Sequence, residues 1–355
     1  MRLSHVLWLE ECSADAAPLV GGKALGLGHL VRQGHRVPPG FAVTTTAYRE
    51  ALAASGLAPE IHEALTGATT VEAQFAASER VRALFDRIAA DAGLTGEIAS
   101  AYRRLGRDAD VPVAIRSSAT AEDTAEASFA GQQDTYLWVH GAEEVVSHVA
   151  RCWGSLFTPR VIAYRARLGI PADEIGMGVV VQAMVPAEAA GVMLTLDPLT
   201  GDRSQITIEA AYGLGVAVVE GDVTPDRYAV DKVTLELRSR VIGPKALAYR
   251  FDPGPGRVAK VEVPAADRAR PCLDDGEVAE LAGLGKRIEI ALGVPQDVEW
   301  AIGPDQSGGR EVYLLQTRPE TVWSRQPRQP VASPGVSVMD GMLAYLVQPA
   351  ASKGD

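Results

Sequence analysis

The stretch that most constrains this chain is VPVAIRSSATAEDTAEASFAGQQDTYLWV, residues 111–139. It opens on an apolar run (Val111, Val113, Ile115) and closes on an alternating one (Thr135 to Val139), both of strand character. Between them lie small hydroxyl residues, alanine and glycine, with Arg116 at the entrance. This pattern predicts a hairpin whose turn can fold over a polyphosphate. Small side chains let backbone N–H groups approach phosphate oxygens, hydroxyls donate further bonds, and an arginine neutralises charge. By composition alone the stretch suits a Ser/Ala-rich surface hairpin equally well. The rest of the chain has to decide.

Residues 17–46 carry Gly21-Gly22-Lys23 ahead of a helical pattern (Leu25, Leu27, Leu30, Val31), then Gly34 as a stop, a Pro38-Pro39-Gly40 turn and a strand from Phe41. A lysine just after two glycines at a helix start can reach an anion. It suits a solvated surface lysine too, and the GxxxxGK[ST] loop is absent. Residues 47–108 read as helical scaffold, and 142–168 as a long helical segment interrupted at Pro159. Around Gln182 a buried strand (Val179 to Val181) runs into Ala183, Met184, Val185 and Pro186. There the Gln182 amide and the backbone of Ala183 and Val185 could meet a purine edge, or the stretch is an ordinary connection. A strand from Gly191 to Leu196 comes next. Residues 206–232 give further strands around Gly213 and Gly215, and 233–271 a strand-rich excursion with a turn at Asp252 to Gly256.

An amphipathic helix over 277–292 leads to the strand Gln296 to Ile302, in which Asp297 and Glu299 share a face. The next strand (Val312 to Leu315) ends in Gln316-Thr317-Arg318-Pro319. Paired, these strands bring Glu299, Gln316 and Arg318 together. Hard oxygen ligands beside an arginine suit Mg²⁺ bridging nucleotide phosphates, or a surface hairpin with a salt bridge.

Length, 355 residues, exceeds one typical domain and predicts one large multi-lobed unit or two domains sharing a cleft. A net charge of −11 argues against a nucleic-acid partner while leaving room for a local anion site. Cys12, Cys152 and Cys272 are too scattered for a disulfide framework and read as reduced thiols. With no signal-peptide pattern and no apolar window of membrane-span length, a cytoplasmic location is expected.

Taken in order, GGKALGLGHL, IRSSATAEDTAEASFAGQQDTYL, QAMVPAEAAGVMLTLDP, VTPDRYAVDK, DVEWAI and LLQTRP resemble the nucleotide-binding domain of the dikinase family. That family includes phosphoenolpyruvate synthase, pyruvate phosphate dikinase and rifampin phosphotransferase. The resemblance spans about residues 15–322 and implies an α+β, ATP-grasp fold with two lobes clamping ATP. It places the first lobe at 1–186 with a phosphate-covering loop at 116–134. The second lobe, with the metal-binding strands, falls at 187–324, and a flexible tail at 325–355.

By the resemblance Lys23, Arg116 and Ser117 hold phosphates with Thr135 nearby. Gln182, Ala183 and Val185 hold adenine, Glu299 and Gln316 ligate Mg²⁺, and Arg318 steadies the transferring phosphoryl group. Lys23, Arg116 and Arg318 would be catalytic. Two positions depart from the family: Trp138 where Asn is frequent, and Val216 where Glu is usual. No histidine lies in a Thr-Ser-His motif like the family's phosphoryl carrier. The resemblance therefore implies a separate subunit with a swivelling phosphohistidine domain. That partner would pass the group to an acceptor such as phenol, as in phenylphosphate synthase, or pyruvate or a drug. A non-catalytic nucleotide-binding regulator is the alternative.

Overall fold

The computed structural model describes residues 4–88, 92–119, 134–168, 176–305 and 308–323. Met1–Pro319 forms one compact unit, mixed α and β, built on two antiparallel sheets. The first sheet contains β1 (Val6–Trp8), β2 (Gly40–Val43), β3 (Val113–Ala119), β4 (Thr135–Val139) and β5 (Met177–Ala183), ordered β1-β2-β5-β3-β4. The second contains β6 (Ala189–Leu194), β7 (Gln205–Tyr212), β8 (Asp226–Asp231), β9 (Leu237–Val241), β12 (Gln296–Pro304) and β13 (Arg310–Pro319), ordered β13-β12-β6-β7-β8-β9. A separate hairpin joins β10 (Leu247–Asp252) to β11 (Arg257–Glu262). All strands of the first sheet precede residue 186, and all those of the second come after it.

Helix α1 (Ala17–Arg32) packs against β3 and β5 of one sheet and β13 of the other. Its glycines permit this double approach. A Cβ on Gly26 would stand 2.5 Å from the Thr317 carbonyl oxygen in β13. One on Gly21 would stand 2.1 Å from the Ser118 carbonyl oxygen in β3. Gly21 also has φ +74°, which breaks the helix and opens a fresh N-terminus at Gly22 and Lys23. Beyond α1 come α2 (Thr45–Ser55), α3 (Ala58–Leu65), α4 (Val71–Ile88) and α5 (Ala92–Leu105), the expected helical scaffold. The segment around Pro159 is two helices, α6 (Ala142–Gly154) and α7 (Pro159–Leu168), joined by a 3-10 turn at Ser155–Phe157. Proline at the first position of α7 lacks an N–H that no carbonyl would have accepted there.

Period-two burial organises both cores. Val113, Ile115, Val179 and Val181 face a cluster with Tyr48, Phe85, Trp153 and Phe157. On the second sheet Met193, Ile208, Tyr228, Val298 and Trp300 face α10 (Asp275–Leu292), which starts on an Asp274–Glu277 capping box and stops at Gly293, φ +76°. Two short helices, α8 (Val216–Val219) and α9 (Ala265–Arg268), complete the unit. Near them Lys245 and Asp226 form an ion pair with no exposed side-chain surface. Lys245 Nζ also donates to the Gly243 and Arg268 carbonyls, and Asp226 accepts from the Gly243 and Cys272 N–H groups. Burial of both charges is tolerable only because their remaining donors and acceptors are satisfied in this way.

β4 departs from regular pairing. Val113 faces Val139 and Ile115 faces Tyr136, so β4 carries one extra residue, and Trp138 there adopts φ +62°. The indole stacks on Phe251 of β10, with centroids 4.9 Å apart and planes 12° apart. A positive φ costs a non-glycine residue about 1–2 kcal/mol, and stacking of this kind returns about 0.5–1.5 kcal/mol.

The second unit, Glu320–Asp355, is described only as far as Trp323. There the Glu320 carboxylate accepts from the backbone N–H of Val322 (2.6 Å) and of Trp323 (3.0 Å). The expected tail and most of the expected phosphate-covering loop (residues 120–133) lie outside the described residues. No helix among the described residues is long and apolar enough to cross a membrane.

Candidate nucleotide site

A cleft of about 710 Å³ opens between the sheets. Its lining draws on five places far apart in sequence: the broken start of α1, the β3–β4 pair, the stretch from the end of β5 through the Met184–Ala187 connection into β6 (Ala190, Gly191), the Leu214–Glu220 segment, and the β12–β13 pair. Lys23, Arg116, Thr135, Gln182, Ala183, Val185, Glu299, Gln316 and Arg318 all line it.

The strands explain the convergence. Along β12, Gln296, Val298 and Trp300 are buried while Asp297 and Glu299 lie on the opposite face. Antiparallel pairing then sets Glu299 opposite Gln316 and Asp297 opposite Arg318. The ladder slips just beyond Glu299, where Trp300 faces Leu314, so Leu315 is an extra residue on β13. Its carbonyl accepts from Arg116 Nη1 at 3.2 Å. This bulge joins the sheets at the centre of the cleft.

Charge is arranged in pairs. Arg116 Nη2 meets Glu299 Oε2 at 2.5 Å, the two side chains 14% and 23% exposed. Arg318 grips Asp297 Oδ2 through Nε (2.8 Å) and Nη2 (2.7 Å). Lys23 brings a third cation to the cleft. Gln182 is 3% exposed, and its Nε2 donates to the Pro38 carbonyl at 3.2 Å, which fixes the amide plane. The next stretch of backbone is held by Ala183 N–H on the Pro39 carbonyl and Met184 N–H on the Pro112 carbonyl, both at 2.9 Å.

Gln316 is the informative member. It is 5% exposed, and its Oε1 has no hydrogen-bond partner among the described residues. Such an oxygen costs about 1–3 kcal/mol, and beside a carboxylate it forms a donor set for a hard cation. Among the described residues no three His, Cys, Asp or Glu side chains gather as a metal cluster. A cation here would have two protein oxygens and would draw the rest from water or ligand oxygens, the habit of Mg²⁺.

Ser117, expected beside the phosphates, is not among the residues that line the cleft. It sits on the opposite face of β3 from Arg116, with Val113, Ile115 and Ala119 in the core, and its hydroxyl is buried away from the cleft. The hydroxyl on the Arg116 side is that of Ser118, which accepts from Ala24 N–H at 3.2 Å in the first turn after the Gly21 break. Alternation from Arg116 was the available signal. The sequence also did not single out Leu137, Leu214, Val219 and Glu220 as cleft residues. Val216, which departs from the dikinase pattern, lines the cleft too, and Glu220 one turn later supplies a carboxylate to it.

Residues 17–334 match the family described as pyruvate phosphate dikinase, AMP/ATP-binding domain. The chain is 42% identical over 363 residues to the phosphoenolpyruvate synthase of Aeropyrum pernix, an overlap covering 94% of this chain and 44% of that protein. It is 44% identical over 326 residues to a probable phosphoenolpyruvate synthase of Methanothermobacter thermautotrophicus, covering 90% and 46%. Against a probable phosphoenolpyruvate synthase of Methanocaldococcus jannaschii the identity is 42% over 333 residues, covering 92% and 27%. The chain thus spans less than half the length of these curated relatives.

Proposed function

The chain belongs to the pyruvate phosphate dikinase AMP/ATP-binding domain family, and from that premise we propose that it is the ATP-binding component of a dikinase on an ATP-grasp fold. It would bind ATP and Mg²⁺ in the cleft, release AMP and phosphate, and leave the β-phosphoryl group on a histidine. The observation that carries this reading is the meeting of three cations, one carboxylate–amide pair and a fixed glutamine amide in one cleft.

Phosphoryl transfer asks for positioning and charge neutralisation more than for covalent chemistry by the protein. Gln182 and the backbone of Ala183 and Val185 would hold adenine at one end. Lys23 and Arg116 would hold phosphates, with the Thr135 hydroxyl beside them. Arg318 would balance charge on the group in flight. Glu299 and Gln316 would hold Mg²⁺, which when bound neutralises phosphate oxygens. Arg116, paired with Glu299, would exchange that carboxylate for phosphate on nucleotide binding.

No histidine among the described residues lines the cleft. The acceptor histidine is proposed to belong to a swivelling domain on a separate subunit. The relatives' name supports pyruvate as the final acceptor; phenol or a drug would be bound by the same partner. Equilibrium titration with ATP and Mg²⁺ tests the reading. No binding at about 1 mM, the weak end of ordinary enzyme affinities, would overturn it.

A further inference from the structure

We propose that Trp138 and Phe251 form an aromatic clasp that sets the width of the cleft, making both of them positioning residues for nucleotide binding. The inference rests on the proposed nucleotide function. The β10–β11 hairpin is fastened at its base to the wall that carries Leu214, Gly215 and Val219. Leu214 N–H donates to the Tyr249 carbonyl at 2.9 Å, and Gly213 bridges to Tyr249 so closely that a Cβ would lie 2.4 Å from that carbonyl. Asp222, just after that wall, pairs with Lys260 at 2.8 Å and accepts from the Tyr249 hydroxyl. The hairpin therefore moves with the second sheet's side of the cleft.

Near its tip, Phe251 reaches the other side. It stacks on Trp138, whose immediate neighbour Leu137 lines the cleft together with Thr135 on the same strand. His140 flanks the ring with its centroid 6.0 Å away. The contact thus joins the two walls directly. The backbone of Trp138 argues that the join is specific. A bulky residue at φ +62° is disfavoured, and here the bulge is what turns the indole onto Phe251. A ligand that needs both walls at this spacing binds the clasped state, so loosening the clasp lowers the competent population.

The test compares Mg²⁺–ATP affinity and amide hydrogen exchange in the whole chain for Phe251→Ala, Phe251→Tyr and Trp138→Gly. Phe251→Ala is expected to weaken ATP binding about fivefold, the value of an aromatic pair expressed as affinity, and to speed exchange in β4. Phe251→Tyr should restore both. Trp138→Gly carries the sharper sign: glycine relieves the positive φ, so a merely strained residue would leave ATP binding unchanged. A clasp loses affinity despite that relief. Wild-type affinity in both Phe251→Ala and Trp138→Gly would overturn the proposal. If the wild type does not bind ATP, the nucleotide reading fails and exchange alone decides: unchanged β4 protection in Phe251→Ala then overturns the clasp.

Discussion

Replacing Glu299 with glutamine should have opposite effects on nucleotide binding with and without Mg²⁺. In the cleft Arg116 is held by Glu299 at 2.5 Å and by the Leu315 carbonyl at 3.2 Å. Two unit charges in contact gain about 4 kcal/mol at an effective dielectric of 20. Desolvation returns much of that, leaving about 1.5–3 kcal/mol for a charged hydrogen bond. Wild-type Arg116 gives up this bond before it can serve phosphate. In Glu299→Gln the shape is kept and the charge is gone, so part of the cost disappears. We expect ATP in excess EDTA to bind the variant about three- to tenfold more tightly than wild type, corresponding to about 0.7–1.4 kcal/mol. The same variant should lose most of the gain in affinity that Mg²⁺ brings, because one of the two protein oxygens offered to the cation has lost its charge. Titration calorimetry at matched ionic strength, with EDTA or Mg²⁺, reads both effects. Weaker ATP binding in EDTA, or an undiminished Mg²⁺ gain, would refute the reasoning.

Two further predictions concern the frame. Gly21→Ala adds a Cβ that would stand 2.1 Å from the Ser118 carbonyl oxygen at a φ of +74°, so it should cost about 1–3 kcal/mol from overpacking alone, read as a lower urea midpoint; an unchanged midpoint would mean that α1 does not need this approach. Asp231 is held at about 2 by the backbone N–H of Thr234, then the Arg238 guanidinium and the Val233 N–H. A carboxylate depressed below its unfolded value of about 3.9 stabilises the fold above that pH and loses the effect as pH falls toward 2. Asp231→Asn should therefore lower Tm uniformly from pH 7 to 5 and converge on wild type between about pH 4 and 2, seen by thermal melts across that range.

Much of the site was legible because strand parity is a strong rule. Alternation put Asp297 and Glu299 on one face, and an antiparallel partner ending in Gln316-Thr317-Arg318 could only bring Gln316 and Arg318 to the same edge. Gly21 and Gly22 announced the helix start that carries Lys23. The same parity, applied from Arg116, places Ser118 on the Arg116 face of β3 and Ser117 on the core face. The Arg116–Glu299 pair was not legible, since nothing local tells one sheet which residue of the other it will meet. Nor was the bulge at Trp138. Tryptophan at positive φ runs against its own preference, and Phe251, its compensation, lies on a hairpin far along the chain.

The most direct test of the central claim tracks the phosphoryl groups themselves. The chain is incubated with Mg²⁺ and ATP labelled separately at the β and γ positions, with and without a subunit bearing the candidate phosphohistidine domain. The account predicts AMP formation, γ-label released as phosphate, and β-label on a histidine of the partner. ADP as the product, γ-label on the partner, or ATP bound with no AMP formed in the partner's presence would contradict it.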